Sequence, residues 1–203
     1  SGNAPVGGTL GSLTLSGGSV LFGARLGNDA FSVGPLLLGT GNNVLNLALL
    51  NGTTTGTGGA QLSFSDFVQS GSFGVLAFNV LGGKLGAGTA AVVGVGATAS
   101  GSNPQIVFTN APALTNGILS NLAVINGVDW ASYRSTVDPV SGAFGLGPVG
   151  FKDSAGNYPF GNYTAFASGA AASMNTGSLN FQESGAYAYV NAAQVNSLNF
   201  SPN

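Results

Sequence analysis

Apolar side chains recur at every second position along much of this chain. Leu13 and Leu15 alternate with Ser12 and Thr14, and Leu45, Leu47 and Leu49 with Asn46 and Ala48. Leu62 and Phe64 alternate with Gln61, Ser63 and Ser65, and Leu76, Phe78 and Val80 with Ala77 and Asn79. Val93, Val95 and Ala97 alternate with Gly94 and Gly96. A strand turns successive side chains to opposite faces, so each segment predicts a short strand with one buried face. The outward residues are small and uncharged. Between the strands stand Gly17-Gly18, Gly27-Asn28-Asp29, Gly41-Asn42-Asn43, Asn51-Gly52, Gly58-Gly59, Gly82-Gly83 and Gly101-Ser102-Asn103-Pro104. Gly and Asn reach positive φ at low cost, as tight corners require. Many short strands separated by such corners predict an all-β fold. The alanine-rich stretch 165–174 is broken by Ser168-Gly169 and predicts no more than a turn of helix.

Internal repetition refines the architecture. Ser178-Leu179-Asn180-Phe181 recurs as Ser197-Leu198-Asn199-Phe200, an offset of 19 residues from 178 to 197, and Gly11-Ser12-Leu13-Thr14-Leu15 is a looser copy. A degenerate repeat near that length suits one coil of a β-solenoid, in which each rung stacks its apolar residues on the next. The expected fold is therefore an all-β solenoid forming a single domain over 1–203. A β-sandwich or jelly roll is the alternative, since period-two strands alone do not separate the two. The region around 110–160 is less regular. It holds the sole Trp, Trp130, with Asp129, Arg134, Asp138, Lys152 and Asp153, and reads as an excursion from the stack.

Composition narrows the function. Charged residues make up 5% of the 203 positions, and the chain has no His and no Cys. Catalysis near neutral pH ordinarily uses a titrating base, a thiolate, a metal or clustered carboxylates, so the chain reads as non-enzymatic, with no cofactor and no metal. Without Cys there is neither a disulfide framework nor a thiolate metal site. The cations Arg25, Lys84, Arg134 and Lys152 are scattered and the net charge is -2, which offers nucleic acid no basic face. No uninterrupted run approaches the roughly 18 apolar residues of a membrane helix, so no transmembrane segment is expected. The opening Ser1-Gly2-Asn3-Ala4-Pro5 lacks Met and reads as a processed product or a piece of something longer.

Several residue groups invite chemistry. Asp29, Asp66, Asp129, Asp138, Asp153 and Glu183 are far apart in sequence. A solenoid glycosidase or lyase would need two of them brought to about 5–9 Å. Most read as turn or surface charges. Asp153 and Asn157 offer oxygen ligands for calcium, but a structural Asx turn accounts for them as well. The run Thr53-Thr54-Thr55-Gly56-Thr57 is a single rank rather than an ice-binding array. Gly82-Gly83-Lys84-Leu85-Gly86 lacks the Gly-Lys-Ser/Thr signature of a phosphate loop. Asn51-Gly52-Thr53, Asn162-Tyr163-Thr164 and Asn199-Phe200-Ser201 match the N-glycosylation pattern at about the frequency such a composition produces. Trp130, Tyr133 and Arg134, with Asp129 beside them, form a candidate ligand patch, because aromatic faces stack on sugars; the alternative is that they anchor a loop.

The segment Ile106-Val107-Phe108-Thr109-Asn110-Ala111-Pro112-Ala113-Leu114-Thr115-Asn116-Gly117-Ile118-Leu119, leading into Ala123-Val124-Ile125-Asn126-Gly127-Val128-Asp129-Trp130-Ala131-Ser132-Tyr133, resembles a unit of bacterial proteins that carry autotransporter-associated β-strand repeats. Gly8-Thr9-Leu10-Gly11-Ser12-Leu13-Thr14-Leu15-Ser16-Gly17-Gly18 is similar to that family's strand-and-turn unit. The resemblance implies a secreted or surface-exposed β-solenoid, making the expected fold a right-handed parallel β-helix over 1–203, and supplies no catalytic residues. The family repeats its unit many times, whereas the full unit occurs here about once. That departure suits a processed fragment or a small protein that repeats by polymerising.

The expected function is structural: a self-assembling or stacking segment of an extracellular fibre, filament or surface layer on a bacterial cell surface. A surface adhesin or carbohydrate-binding module, with surface glycans as partners, is the first alternative, and a polysaccharide-degrading enzyme the second. Residues 196–200 read as a strand, and neither end of the chain looks like a polar cap. Leu198, Asn199 and Phe200 are therefore a candidate assembly edge, where copies of the chain, or flanking repeats of a longer one, add head to tail or by strand donation.

Overall fold

The computed structural model describes residues 9–24, 29–49, 60–69, 74–87, 103–120, 122–161, 163–165, 176–183 and 195–200. Every helix or strand element among them is a strand. Three successive passages of the chain each contain three strands. The first holds β1 (Thr9–Leu10), β2 (Leu13–Leu15) and β3 (Gly18–Ala24). The second holds β4 (Asp29–Val33), β5 (Leu36–Leu38) and β6 (Gly41–Leu49). The third holds β7 (Ala60–Phe64), β8 (Phe67–Gln69) and β9 (Gly74–Leu81). Then follow β10 (Gln105–Phe108), β11 (Ala123–Ile125), β12 (Asp129–Arg134), β13 (Gly145–Pro148), β14 (Thr164–Ala165), β15 (Thr176–Glu183) and β16 (Val195–Phe200).

Each passage gives one strand to each of three sheets. Two of these are wholly parallel, β1-β4-β7-β10 and β2-β5-β8. The third, β13-β12-β11-β9-β6-β3, is mixed: β3, β6, β9 and β11 run parallel, while β11, β12 and β13 alternate in direction. A separate parallel sheet holds β14-β15-β16.

This arrangement corrects the expected fold. The chain is not a right-handed parallel β-helix over 1–203 but a strand-built fold of three parallel sheets and one mixed sheet. Nor is it a jelly roll, whose sheets are antiparallel. The reversal has a local cause. After β11 the backbone enters a turn at Asn126 (φ 51°) and Gly127 (φ 70°), and Asp129 then pairs antiparallel with Ile125. Two successive positive φ values on Asn-Gly match the twist of a tight hairpin, which sends the chain back along its own edge. The spacing also departs from a uniform coil. Thr9 lies beside Ser32, Asp29 beside Ala60 and Gln61 beside Gln105, so the crossovers lengthen with each passage. The repeated Ser178–Phe181 and Ser197–Phe200 words do occupy adjacent parallel strands, but an irregularity between Thr176 and Asn180 sets Phe181 against Leu198.

In-register parallel pairing places like positions on the same face, so inward residues form columns. Leu10, Val33, Phe64 and Phe108 make one, and Val20, Leu45, Phe78 and Ile125 another. Phe64 and Phe108 stack at 5.8 Å between ring centroids. These columns from all three sheets merge in one core with Leu36, Leu38, Leu47, Leu62, Leu76 and Ile106. Each such side chain contributes about 1.5–3 kcal/mol by leaving water. One corner depends on a missing side chain: a Cβ on Gly74 would lie 1.9 Å from the Gly39 carbonyl oxygen, so only glycine lets the two passages approach.

Asn side chains fasten the passages where backbone pairing stops. Buried Asn43 accepts from Gly17 N–H (2.7 Å) in the preceding passage, and its amide donates to the Val75 carbonyl (3.2 Å) in the next. On the outer face Asn79 donates to Asn46 (3.3 Å), and Asn46 to the Val20 carbonyl (3.2 Å).

Candidate functional site

Strand alternation along β12 sorts the expected ligand patch. Ala131 and Tyr133 join the core, whereas Trp130 and Arg134 lie on the opposite face. Tyr133 is 7% exposed, and its ring meets Phe108 edge-on at 5.5 Å. Its hydroxyl accepts a hydrogen bond from Phe108 N–H (3.0 Å) and donates one to the Phe108 carbonyl (3.0 Å). Those two backbone groups point away from β7 and would otherwise lack a neighbouring strand. One phenol thus fills the outer edge of β10 at Phe108, while Gly145 of β13 packs against the Ile106 carbonyl, 2.6 Å from where a Cβ on that glycine would lie. Burial pushes its pKa up, against a smaller opposite pull from the Phe108 hydrogen bond.

Trp130 is half-buried against Ile118, Val149 and Tyr163. Arg134 is engaged by its own surroundings: Nη2 lies 3.3 Å from Asp138 Oδ2, Nη1 donates to the Pro159 carbonyl (2.7 Å), and Nε donates to the Thr136 carbonyl (3.3 Å). The structure thus does not bring Trp130, Tyr133 and Arg134 onto one face. Period two splits them between two sides of the sheet, and their polar groups anchor loops.

Asp129, the acidic member of the expected patch, ties this region together. Its carboxylate accepts from Trp130 N–H (2.8 Å), Gly150 N–H (2.9 Å) and the Tyr163 hydroxyl. Desolvation pushes its pKa up from the usual carboxylate value, and the three donors pull the other way. The arrangement fastens the start of β12 to the chain at 150 and 163.

Asp66, Asp138 and Asp153 each have local partners. Asp66 accepts from Asn110 Nδ2 (2.7 Å), which holds its pKa low. Asp138 is lowered first by the Ser141 backbone N–H, then by the Ser141 hydroxyl. Asp153 and Asn157 do meet, but as an Asx turn. Asp153 accepts from Ala155 N–H (2.9 Å) and Asn157 N–H (2.7 Å), and Asn157 Nδ2 donates to its second oxygen (3.2 Å). A donor thus stands where a cation would have to bind. Among the described residues no three His, Cys, Asp or Glu side chains gather into a metal-binding group. Thr53–Thr57, Arg25, the strand expected at 93–97 and most of the stretch 165–174 lie outside the described residues, as do Asn51 and Asn162.

Strand edges form the second candidate site. β1, β2 and β3 are each the last strand of their sheet at one end of the stack. Their inward residues top the core columns, with no following layer among the described residues. Leu10 is 55% exposed, and Leu13, Val20 and Phe22 are only partly buried. Leu21, on the outer face in register with Asn46, is 57% exposed. Residues 9–24 carry no charge. At the opposite end Tyr133 closes β10 at Phe108, β12 and β13 extend the mixed sheet beyond β11, and β8 is the end strand of its sheet, with Val68 exposed. Leu198, Asn199 and Phe200 lie on β16, an end strand of the third parallel sheet, paired on one side with Phe181, Gln182 and Glu183. The sequence pointed to β16 through its position; it held no signal that β1, β2 and β3 end their sheets, because alternation does not name a strand's neighbours.

No helix among the described residues is long and apolar enough to cross a membrane. No protein-family model, curated protein or solved structure matches the chain.

Proposed function

We propose that this chain is a structural, non-catalytic protein that assembles with copies of itself through strand edges into a fibre, filament or layer at a bacterial surface. The open end formed by β1, β2 and β3 carries this reading. Three edges there have no further strand among the described residues, around an apolar cross-section topped by Leu10, Leu13, Val20 and Phe22. Unpaired strands present rows of N–H and C=O groups, and soluble proteins ordinarily blunt such edges with charges, Pro or bulges. Residues 9–24 contain no charge and no Pro. The outer edge of β16 offers a second place for strand addition. The extracellular, bacterial setting rests on the resemblance at 106–133. Electron microscopy of the full chain, with sedimentation velocity over a concentration series, tests the assembly. Filaments, sheets or discrete oligomers are expected. A monodisperse monomer at high concentration would refute it.

A further inference from the structure

We infer that the open end is covered by the same end of a second copy, across a two-fold axis that runs β3 antiparallel to its counterpart. This deepens the assembly reading and depends on it. Any partner for this end must offer three edges and an apolar centre together. The sheet β14-β15-β16 offers edges of a single sheet, and the far end of the stack, where β8 and β13 are also end strands, is closed at Phe108 of β10 by the Tyr133 hydroxyl. Among the described surfaces, only another open end presents all three.

Self-pairing also satisfies the geometry. A two-fold axis through the middle of β3 and the core reverses β3 onto itself and exchanges β1 with β2, so each edge meets an edge. β3 spans seven residues, whereas β1 and β2 have two and three, so the self-paired strand is the longest of the set. An isologous interface presents each residue to the same patch on the partner, so any charge near the axis would face its own copy. None exists between residues 9 and 24, and the meeting is free of like-charge repulsion. Leu10, Leu13, Val20 and Phe22 would then gain the layer that Val33, Leu36, Leu45 and Leu47 already have on both sides.

The chain has no native thiol, so Leu21→Cys in the full chain provides a unique site for a nitroxide. Leu21 is exposed on the outer face, where a label leaves the core undisturbed. Dipolar spectroscopy should read one short separation, with backbones on the order of 5–10 Å apart for paired strands. Sedimentation should show a dimer as the smallest assembled species. Head-to-tail stacking instead separates successive labels by the six strands of the mixed sheet, roughly 24 Å or more. Leu10→Lys places a charge at the proposed seam, yet on a side chain that is mostly exposed in the single copy. It should abolish the short separation and yield a folded monomer by circular dichroism. Assemblies with only long separations would overturn the two-fold arrangement and leave self-assembly standing. A monomer at every concentration would overturn both. A short separation that survives Leu10→Lys would overturn the placement of Leu10 at the seam.

Discussion

Replacing Tyr133 by Phe removes one oxygen and leaves the ring, its volume and its edge-on contact with Phe108 in place. The loss is nevertheless large, because that oxygen serves both Phe108 N–H and Phe108 C=O inside the core. A hydrogen bond exchanged for water contributes only about 1 kcal/mol, but a buried group left without a partner costs about 1–3 kcal/mol. Two groups are orphaned here, and partial relaxation offsets some of the penalty, so Tyr133→Phe should destabilise by about 2–4 kcal/mol. Urea denaturation followed by circular dichroism reads this as a lower midpoint at unchanged slope, since the surface exposed on unfolding is the same. A loss below about 0.5 kcal/mol would mean that water or another group reaches Phe108, and the argument that Tyr133 closes β10 would fail.

Asn126→Ala should cost about 1–3 kcal/mol, because it removes the acceptor of Val80 N–H (3.0 Å) and puts a Cβ-bearing residue with no local polar bond at φ 51°; thermal unfolding checks it. Gly74→Ala should destabilise by at least about 1–3 kcal/mol, since the new methyl meets backbone at Gly39, which cannot rotate away; the denaturation midpoint reads it. Asp129 sets a pH dependence of defined sign. Its folded pKa lies above the unfolded value of 3.8, so its contribution is fully present below pH 3.8 and is lost as pH rises through the folded value. Denaturation midpoints against pH for wild type and Asp129→Asn should differ by that falling contribution, and parallel profiles would refute it.

How much was legible depended on the range of the interaction. Leu45, Leu47, Leu76 and Phe78 were readable as inward residues because alternation within one strand decides which face is apolar, and they are buried. Gln61 and Ser63 followed the same rule as outward residues, yet all of β7 is buried. Gln61 donates to Gln105 one strand away (3.2 Å), a contact that exists only once the two passages meet. Strand direction was beyond the pattern, since period two is the same for parallel and antiparallel neighbours. The reversal at Asn126-Gly127 carried a local signal, the hairpin dipeptide, but the long solenoid periodicity outweighed it. Trp130, Tyr133 and Arg134 are divided for a simpler reason. Proximity in sequence along a strand places alternate residues on opposite sides of a sheet.

The Tyr133 closure also bears on the order in which the molecule is made. β10 pairs with β7 across a long intervening segment, and such distant parallel pairings form slowly because loop closure precedes any compensating contact. Residue 133 follows β10 by 25 positions in the chain. As the polypeptide emerges from the ribosome, the first three passages and β10 can associate while the free side of Phe108 is still bare. The nascent chain therefore passes through a stage in which the outward N–H and C=O of Phe108 wait unfilled beside the pairing with β7, and that stage ends only when the tyrosine arrives.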